Sequence, residues 1–207
     1  MEKSIAVIKR HLACGSVNIF GLAFSGKDTV GQRLAQDLGA LCISSGEILR
    51  QAEVHDAGLA AEAAQGKLVD QDKFRSIVLP HFYRADLKGR ALILSSVGRW
   101  SGEEKAVMET LEKSGHPLKA VLWLDIDIEE LKRRWMAAKK LHDRGQRQDD
   151  ADYELMKMRV QEFENKTLPV LDYYKKQGLM IKLDGSGERD AVYARVVRAL
   201  EAKLADV

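Results

Sequence analysis

The segment at residues 17–33, VNIFGLAFSGKDTVGQR, constrains the fold more than any other part of the chain. Residues 17–20 form a short apolar run, long enough for a buried strand. Gly21-Leu22-Ala23-Phe24-Ser25-Gly26-Lys27 then fits G-x-x-x-x-G-K, and Val30, Leu34 and Leu38 recur behind it at helical spacing. A strand, a glycine-bounded turn, a lysine and a helix in that order are what a phosphate-cradling loop needs. Glycines let successive N–H groups point inward, and the helix adds its positive end. Nucleotide binding is expected, with Phe24, Ser25 and Gly26 lining the turn and Lys27 reaching the β/γ-phosphates. Asp28 stands where Ser or Thr is usual, and Thr29 follows one place later. A carboxylate there either caps the helix against its dipole or, with Thr29, meets Mg²⁺ directly or through water.

The same alternation recurs along the chain. Strands are expected at residues 40–43, 90–94, 120–126 and 179–183, each followed by a helical pattern such as EEKAVMETLEKSG or AVYARVVRALEAKL. Short continuous apolar strands between helices indicate a parallel sheet covered on both faces, so the fold class is a doubly wound five-stranded α/β domain. Residues 46–88 read as a long helical stretch, too long for a simple crossover, and KKLHDRGQRQDDAD is dense in charge; these are the two places for inserted pieces. Residues 1–16 precede the first strand as a short helix or arm, read as an appended surface segment.

Several function classes fall away. Thirty-three Lys and Arg against 31 Asp and Glu leave a net charge of +2, which argues against a nucleic-acid binder. No apolar run approaches a membrane span, and Lys9, Arg10 and His11 break the N-terminal apolar residues, unlike a signal peptide. Cys14 and Cys42 are too few for a disulfide scaffold or a four-cysteine zinc site and suit a reducing cytoplasm. The five histidines are scattered, and neither G-x-S-x-G nor H-E-x-x-H is present.

Beyond the loop, six stretches in order resemble adenylate kinase and the other nucleoside monophosphate kinases. They are Lys27 with Thr29; Ile43-Ser44-Ser45-Gly46-Glu47-Ile48-Leu49-Arg50; Gly66 to Val69; Ser95-Ser96-Val97-Gly98-Arg99 through Glu103; Arg147-Gln148-Asp149-Asp150; and Arg159, Thr167, Pro169, Tyr173 and Tyr174. The resemblance covers nearly all of residues 17–204 and implies a P-loop NTPase fold with a helical monophosphate-binding insertion at 44–69 and a short lid at 139–150. It implies transfer of the γ-phosphoryl of Mg²⁺-ATP to a nucleoside monophosphate, AMP by default, in a cytoplasmic monomer without nucleic acid, membrane or zinc. Lys27, Arg99, Arg147 and Arg159 would be catalytic. Ser45, Arg50, Val69, Arg99 and Glu103 would hold the monophosphate, with Arg147 and Arg159 closing from the lid side. Lys139 falls where the family has another lid Arg, and Asp149 and Asp150 would organise the closing arginines or cap a helix. The chemistry agrees: phosphoryl transfer asks for positioning and charge neutralisation, which planar arginine forks supply.

Four departures bear on function. The strand-end Asp that holds Mg²⁺ through water in the family is Ser95, so Asp28 would carry the metal from across the cleft. The adenine-reading Gln is Glu103, which when ionised only accepts hydrogen bonds, so it repels adenine N1 and better matches guanine's N1–H and N2–H₂ or cytosine's amino group, leaving the base open; it equally fits the first turn of a helix. The Arg that stacks on the ATP base falls at Trp135, either a stacking indole or a packing residue, with Arg134 as a substitute. Ser96 and Gly98 replace the Gly and Pro of the turn. Two other readings stay open: a P-loop kinase for another anionic small molecule, and a catalytically weakened nucleotide-binding regulatory protein.

Overall fold

In the computed structural model, which describes residues 1–53, 67–141 and 153–205, five short apolar segments pair into one parallel sheet. The strands are β1 (Ser16–Phe20), β2 (Leu41–Ser44), β3 (Leu92–Ser95), β4 (Leu118–Asp125) and β5 (Met180–Asp184), in the order β2-β3-β1-β4-β5. β1 lies at the centre with every residue buried, as a run that is apolar on both faces requires. Its one amide, Asn18, donates from Nδ2 to Val97 O at 2.7 Å and accepts from Val97 N at 3.2 Å. That pair fixes the turn that leaves β3, where the site begins.

Helices cover both faces. α1 (Glu2–Leu12), α2 (Lys27–Leu38) and α9 (Arg189–Ala205) close one side, where Ile8, Leu12, Leu34, Val196 and Leu200 join Val17, Ile19 and Leu122 in the largest core cluster. The N-terminal helix expected at residues 1–16 is present, but not as a surface arm. Ile8 and Leu12 are 0% and 1% exposed, and α1 lies along α9. Burying two such side chains contributes about 1.5–3 kcal/mol each, so this piece is part of the core.

The other face is closed by α3 (Ser45–Glu53), α4 (Gln71–Ile77), α5 (Glu103–Lys113) and α8 (Leu168–Lys176). The helical stretch expected at 46–88 is broken: α4 starts at an Asp70 cap that accepts from Asp72 N at 2.9 Å, and two 3₁₀ turns, Leu79–Tyr83 and Ala85–Leu87, follow it. α6 (Ile128–Leu141) runs from β4, and α7 (Tyr153–Glu162) continues into α8 through a π turn at Phe163–Thr167. π segments cluster at functional sites, and this one turns the fully buried Thr167 so that its Oγ1 donates to Arg99 O at 3.0 Å. Among the described residues, no helix is long and apolar enough to cross a membrane.

Candidate active site

The phosphate loop runs between β1 and α2, and two glycines dictate its path. A Cβ on Gly21 would sit 2.4 Å from Ser25 Oγ and 2.8 Å from Leu124 O, closer than any side chain can approach. Gly26 takes φ 89° as the left-handed cap of α2. Phe24 adopts φ 63° without that freedom, which costs about 1–3 kcal/mol. Burial against Ile126, Leu131 and Met156 holds it there. Ser25 Oγ is buried and has no hydrogen-bond partner among the described residues. Leaving a hydroxyl so costs about 1–3 kcal/mol, a deficit that an anion in the loop removes.

Lys27 opens α2 with its side chain 16% exposed, and its Nζ lies 3.7 Å from Asp28 Oδ2. The other carboxylate oxygen of Asp28 accepts a 2.6 Å hydrogen bond from Ser95 Oγ at the end of β3. The residue that replaces a carboxylate in the resembling family therefore touches the carboxylate that appears in the loop.

Arg99 follows the β3 turn, its main chain pinned by Thr167. Burial first, and the like charge of Arg159 second, push its pKa down to about 10, while Glu103, Glu162 and Asp28 act in the opposite sense. It remains a cation at neutral pH. The two guanidiniums repel, and a phosphate placed between them would remove the repulsion. Arg99 thus lies within electrostatic reach of Asp28 on the loop, Arg159 on α7 and Glu103 at the start of α5.

The residues expected to hold the monophosphate are placed less uniformly. Ser45 is 4% exposed and its hydroxyl donates to Ser96 O at 2.7 Å, bracing the β3 turn. Arg50 is exposed near the end of α3. Val69 is half-buried, and its neighbour Leu68 donates its N–H to Glu162 Oε2 at 3.0 Å. Lys166 bridges the same Glu162 at 2.7 Å and sits 3.8 Å over the Trp100 ring. Glu103 is 2% exposed as the first residue of α5, and its Oε2 accepts from Trp100 N at 3.0 Å. Burial pushes its pKa up to about 7 against the pull of the Trp100 and Arg99 amides and the charges of Arg75 and Arg99. The first-turn reading describes this geometry, for Glu104 likewise turns back to accept from Gly102 N at 2.7 Å.

A cavity of about 280 Å³ adjoins the phosphate loop, lined by Phe24, Ser25, Gly26, Thr29, Arg134, Gly185 and Gly187 among others. Ligand cavities of ~300–1,000 Å³ are usual. Trp135 does not line it. Its indole is 8% exposed and packs with Phe24, Leu131 and Met156, and against the Tyr153 ring at 5.8 Å. The stacking role expected of Trp135 gives way to core packing, because Leu131, Trp135 and Ala138 share one helix face and that face is turned inward. Arg134, rotated from that face, borders the cavity instead. Lys139 is exposed, with Nζ 5.2 Å from the Trp135 ring centroid. Gly66, Arg147, Asp149 and Asp150, and with them most of the expected lid, lie outside the described residues.

Sequence reasoning missed Asn18, Glu162 and the structural role of Arg134. An amide inside the apolar run VNIF was a usable signal for the first; the other two depend on contacts across 94 and 110 positions.

The family model for adenylate kinase matches residues 19–179. An adenylate kinase of Stenotrophomonas maltophilia is 34% identical over 188 residues, 88% of this chain and 97% of that protein. One from Thermus thermophilus is 30% identical over 189 residues, covering 89% and 96%. One from Phocaeicola vulgatus is 30% identical over 193 residues, covering 90% and 98%.

Proposed function

The chain belongs to the adenylate kinase family, and from that premise we propose that it transfers the γ-phosphoryl group of Mg²⁺-ATP to AMP, giving two ADP. As a member of the family it is a nucleoside monophosphate phosphotransferase that uses ATP. Family membership does not favour a kinase for another small anion or a weakened regulatory protein. In this reading the protein is a cytoplasmic monomer that acts on AMP with Mg²⁺ and without nucleic-acid or membrane partners.

The observation that carries the reading is the phosphate loop between β1 and α2, bounded by Gly21 and Gly26, with Lys27 at its end and Ser25 Oγ buried in it and unpaired among the described residues. Lys27 and the loop amides would hold the β- and γ-phosphates, with Phe24, Ser25, Gly26 and Thr29 at the donor cavity. Arg99 would hold the acceptor phosphate and, with Arg159 and Arg147, neutralise charge on the equatorial oxygens as the group passes in line. Arg50, Ser45, Val69 and Glu103 would border the acceptor, within an insertion at 44–69. A lid at 139–150 carrying Lys139 and Arg147 would exclude water before transfer.

The residues present fit magnesium. Asp28 offers one carboxylate and Thr29 one hydroxyl, hard oxygen donors beside the loop, and Mg²⁺ commonly takes one or two carboxylates plus phosphates and water. Among the described residues, no group of three or more His, Cys, Asp or Glu is placed to hold a metal, so phosphate and water would complete the shell. When bound, the ion neutralises charge on the phosphate oxygens.

The test is direct. The protein is incubated with Mg²⁺-ATP and, separately, AMP, GMP, CMP, UMP or dTMP, and ADP production is followed. Turnover with AMP above the others, abolished by EDTA, is expected. Preference for another base would replace AMP as acceptor, and no turnover alongside ATP binding would sink the enzymatic reading.

A further inference from the structure

We propose that Thr167 is a positioning residue for the transfer step, tying the main chain of Arg99 to the helix pair that carries Arg159; the role rests on reading Arg99 as the group that holds the acceptor phosphate. Thr167 closes the π turn Phe163–Thr167 and is 0% exposed, and its Oγ1 donates to Arg99 O at 3.0 Å. Lys166, one place earlier, sets its Nζ 3.8 Å over the Trp100 ring and pairs with Glu162 Oε2 at 2.7 Å. Two consecutive residues of the π turn thus hold two consecutive residues of the β3–α5 turn. Arg159 lies in the last turn of α7, just ahead of the π turn. One short stretch of helix therefore carries both the second guanidinium and the hydroxyl that restrains the first.

Charge and backbone conformation both call for such a restraint. The like charge of Arg159 acts on Arg99, so the two tend to separate unless their main chains are tied or an anion lies between them. The turn before Arg99 bends through Ser96 at φ 53° and Gly98 at φ 75°, and a left-handed serine persists only where its surroundings hold it. Asn18 fixes Val97, and the Ser45 hydroxyl fixes Ser96 O, so the entry to the turn is held from the sheet side. Thr167 acts from the opposite element, on the Arg99 carbonyl, and fixes the peptide plane that leaves the Arg99 Cα. Threonine suits the position because its branched Cβ leaves few χ1 wells, so the hydroxyl is aimed; serine keeps the donor without that stiffness. Phosphoryl transfer is chiefly positioning, and a misplacement of about 1 Å costs up to about 10²-fold in rate.

The experiment compares wild type, Thr167→Val, Thr167→Ser, Arg99→Ala and the Thr167→Val/Arg99→Ala double variant. Steady-state kinetics with Mg²⁺-ATP and AMP give kcat and both KM values, and a thermal melt checks folding. Thr167→Val keeps the shape and removes the donor; it is expected to cut kcat about tenfold and raise the AMP KM about threefold, with the ATP KM within about twofold. Thr167→Ser should restore kcat to within about threefold of wild type. Because Thr167 acts through Arg99, the double variant should be no slower than Arg99→Ala alone. If Thr167→Val does not fold, Thr167→Cys, a weaker donor of similar size, takes its place, with a loss of about threefold in kcat expected. Wild-type kinetics in the donor-deficient variant, equal rises in both KM values, or losses that multiply in the double variant would overturn the proposal while leaving the Arg99 reading in place. Wild-type kinetics in Arg99→Ala would instead overturn the reading of Arg99 on which it rests.

Discussion

Ser95 Oγ donates a 2.6 Å hydrogen bond to Asp28 Oδ1, joining the end of β3 to the first turn of α2 across the mouth of the phosphate loop. The hydroxyl fixes one oxygen of the carboxylate and leaves the other 3.7 Å from Lys27 Nζ. Asp28→Ala should therefore remove most of the magnesium stimulation of turnover, and Ser95→Ala should raise the magnesium concentration for half-maximal rate a few-fold by freeing Asp28. Magnesium titrations of rate, together with melting shifts on adding Mg²⁺-ATP, measure both. An Asp28→Ala protein with unaltered magnesium dependence would return Asp28 to a helix cap.

Arg99 makes the sharpest kinetic case. Arg99→Ala should raise the AMP KM and cut kcat by about 10²–10³-fold, the scale for losing one preorganised charge partner, with ATP binding nearly intact. Removing its charge also relieves the repulsion from Arg159, so melting temperature should hold or rise slightly. A selective loss of ATP affinity would place Arg99 on the wrong substrate.

Glu103 predicts a pH dependence of stability. Its pKa of about 7 in the folded chain lies above the ordinary carboxylate value of 4.5, chiefly through burial. The folded state therefore holds an extra proton between those two values, and stability falls as pH rises from about 4.5 to 7, by on the order of 3 kcal/mol at most. Above pH 7 the penalty is complete. Urea unfolding from pH 5 to 8 should show the decline in wild type and a flatter profile in Glu103→Gln; parallel profiles would discount the effect.

Gly21→Ala tests the loop's path. The added Cβ meets Leu124 O at 2.8 Å as well as Ser25 Oγ, and backbone does not yield as a side chain can. A cost of about 1–3 kcal/mol is expected, a melting drop of several degrees, with ATP affinity falling in step. Unchanged melting and ATP affinity would show that the loop accommodates the methyl group.

Ile8→Ala separates stability from activity. The side chain is fully buried between α1 and the main core, so truncation should cost about 2–5 kcal/mol while kcat per folded molecule is preserved. A cost under 0.5 kcal/mol in urea unfolding would restore the surface-arm reading of residues 1–16.

By itself the sequence determined the strands, the phosphate loop and the family, because these rest on local signals: apolar runs a few residues long, glycines at a turn, a lysine opening a helix. All five expected strands appear within about two residues of their observed starts, as 17–20 does against Ser16–Phe20. Only the tertiary structure decided which way neighbouring side chains face. One position along a helix turns a side chain by roughly 100°, so the inward packing of Leu131 and Trp135 leaves Arg134 to gather the carbonyls of two distant loops. The Ser95–Asp28 bond is of the same kind: two departures that read separately along the chain become one contact when β3 is laid beside β1.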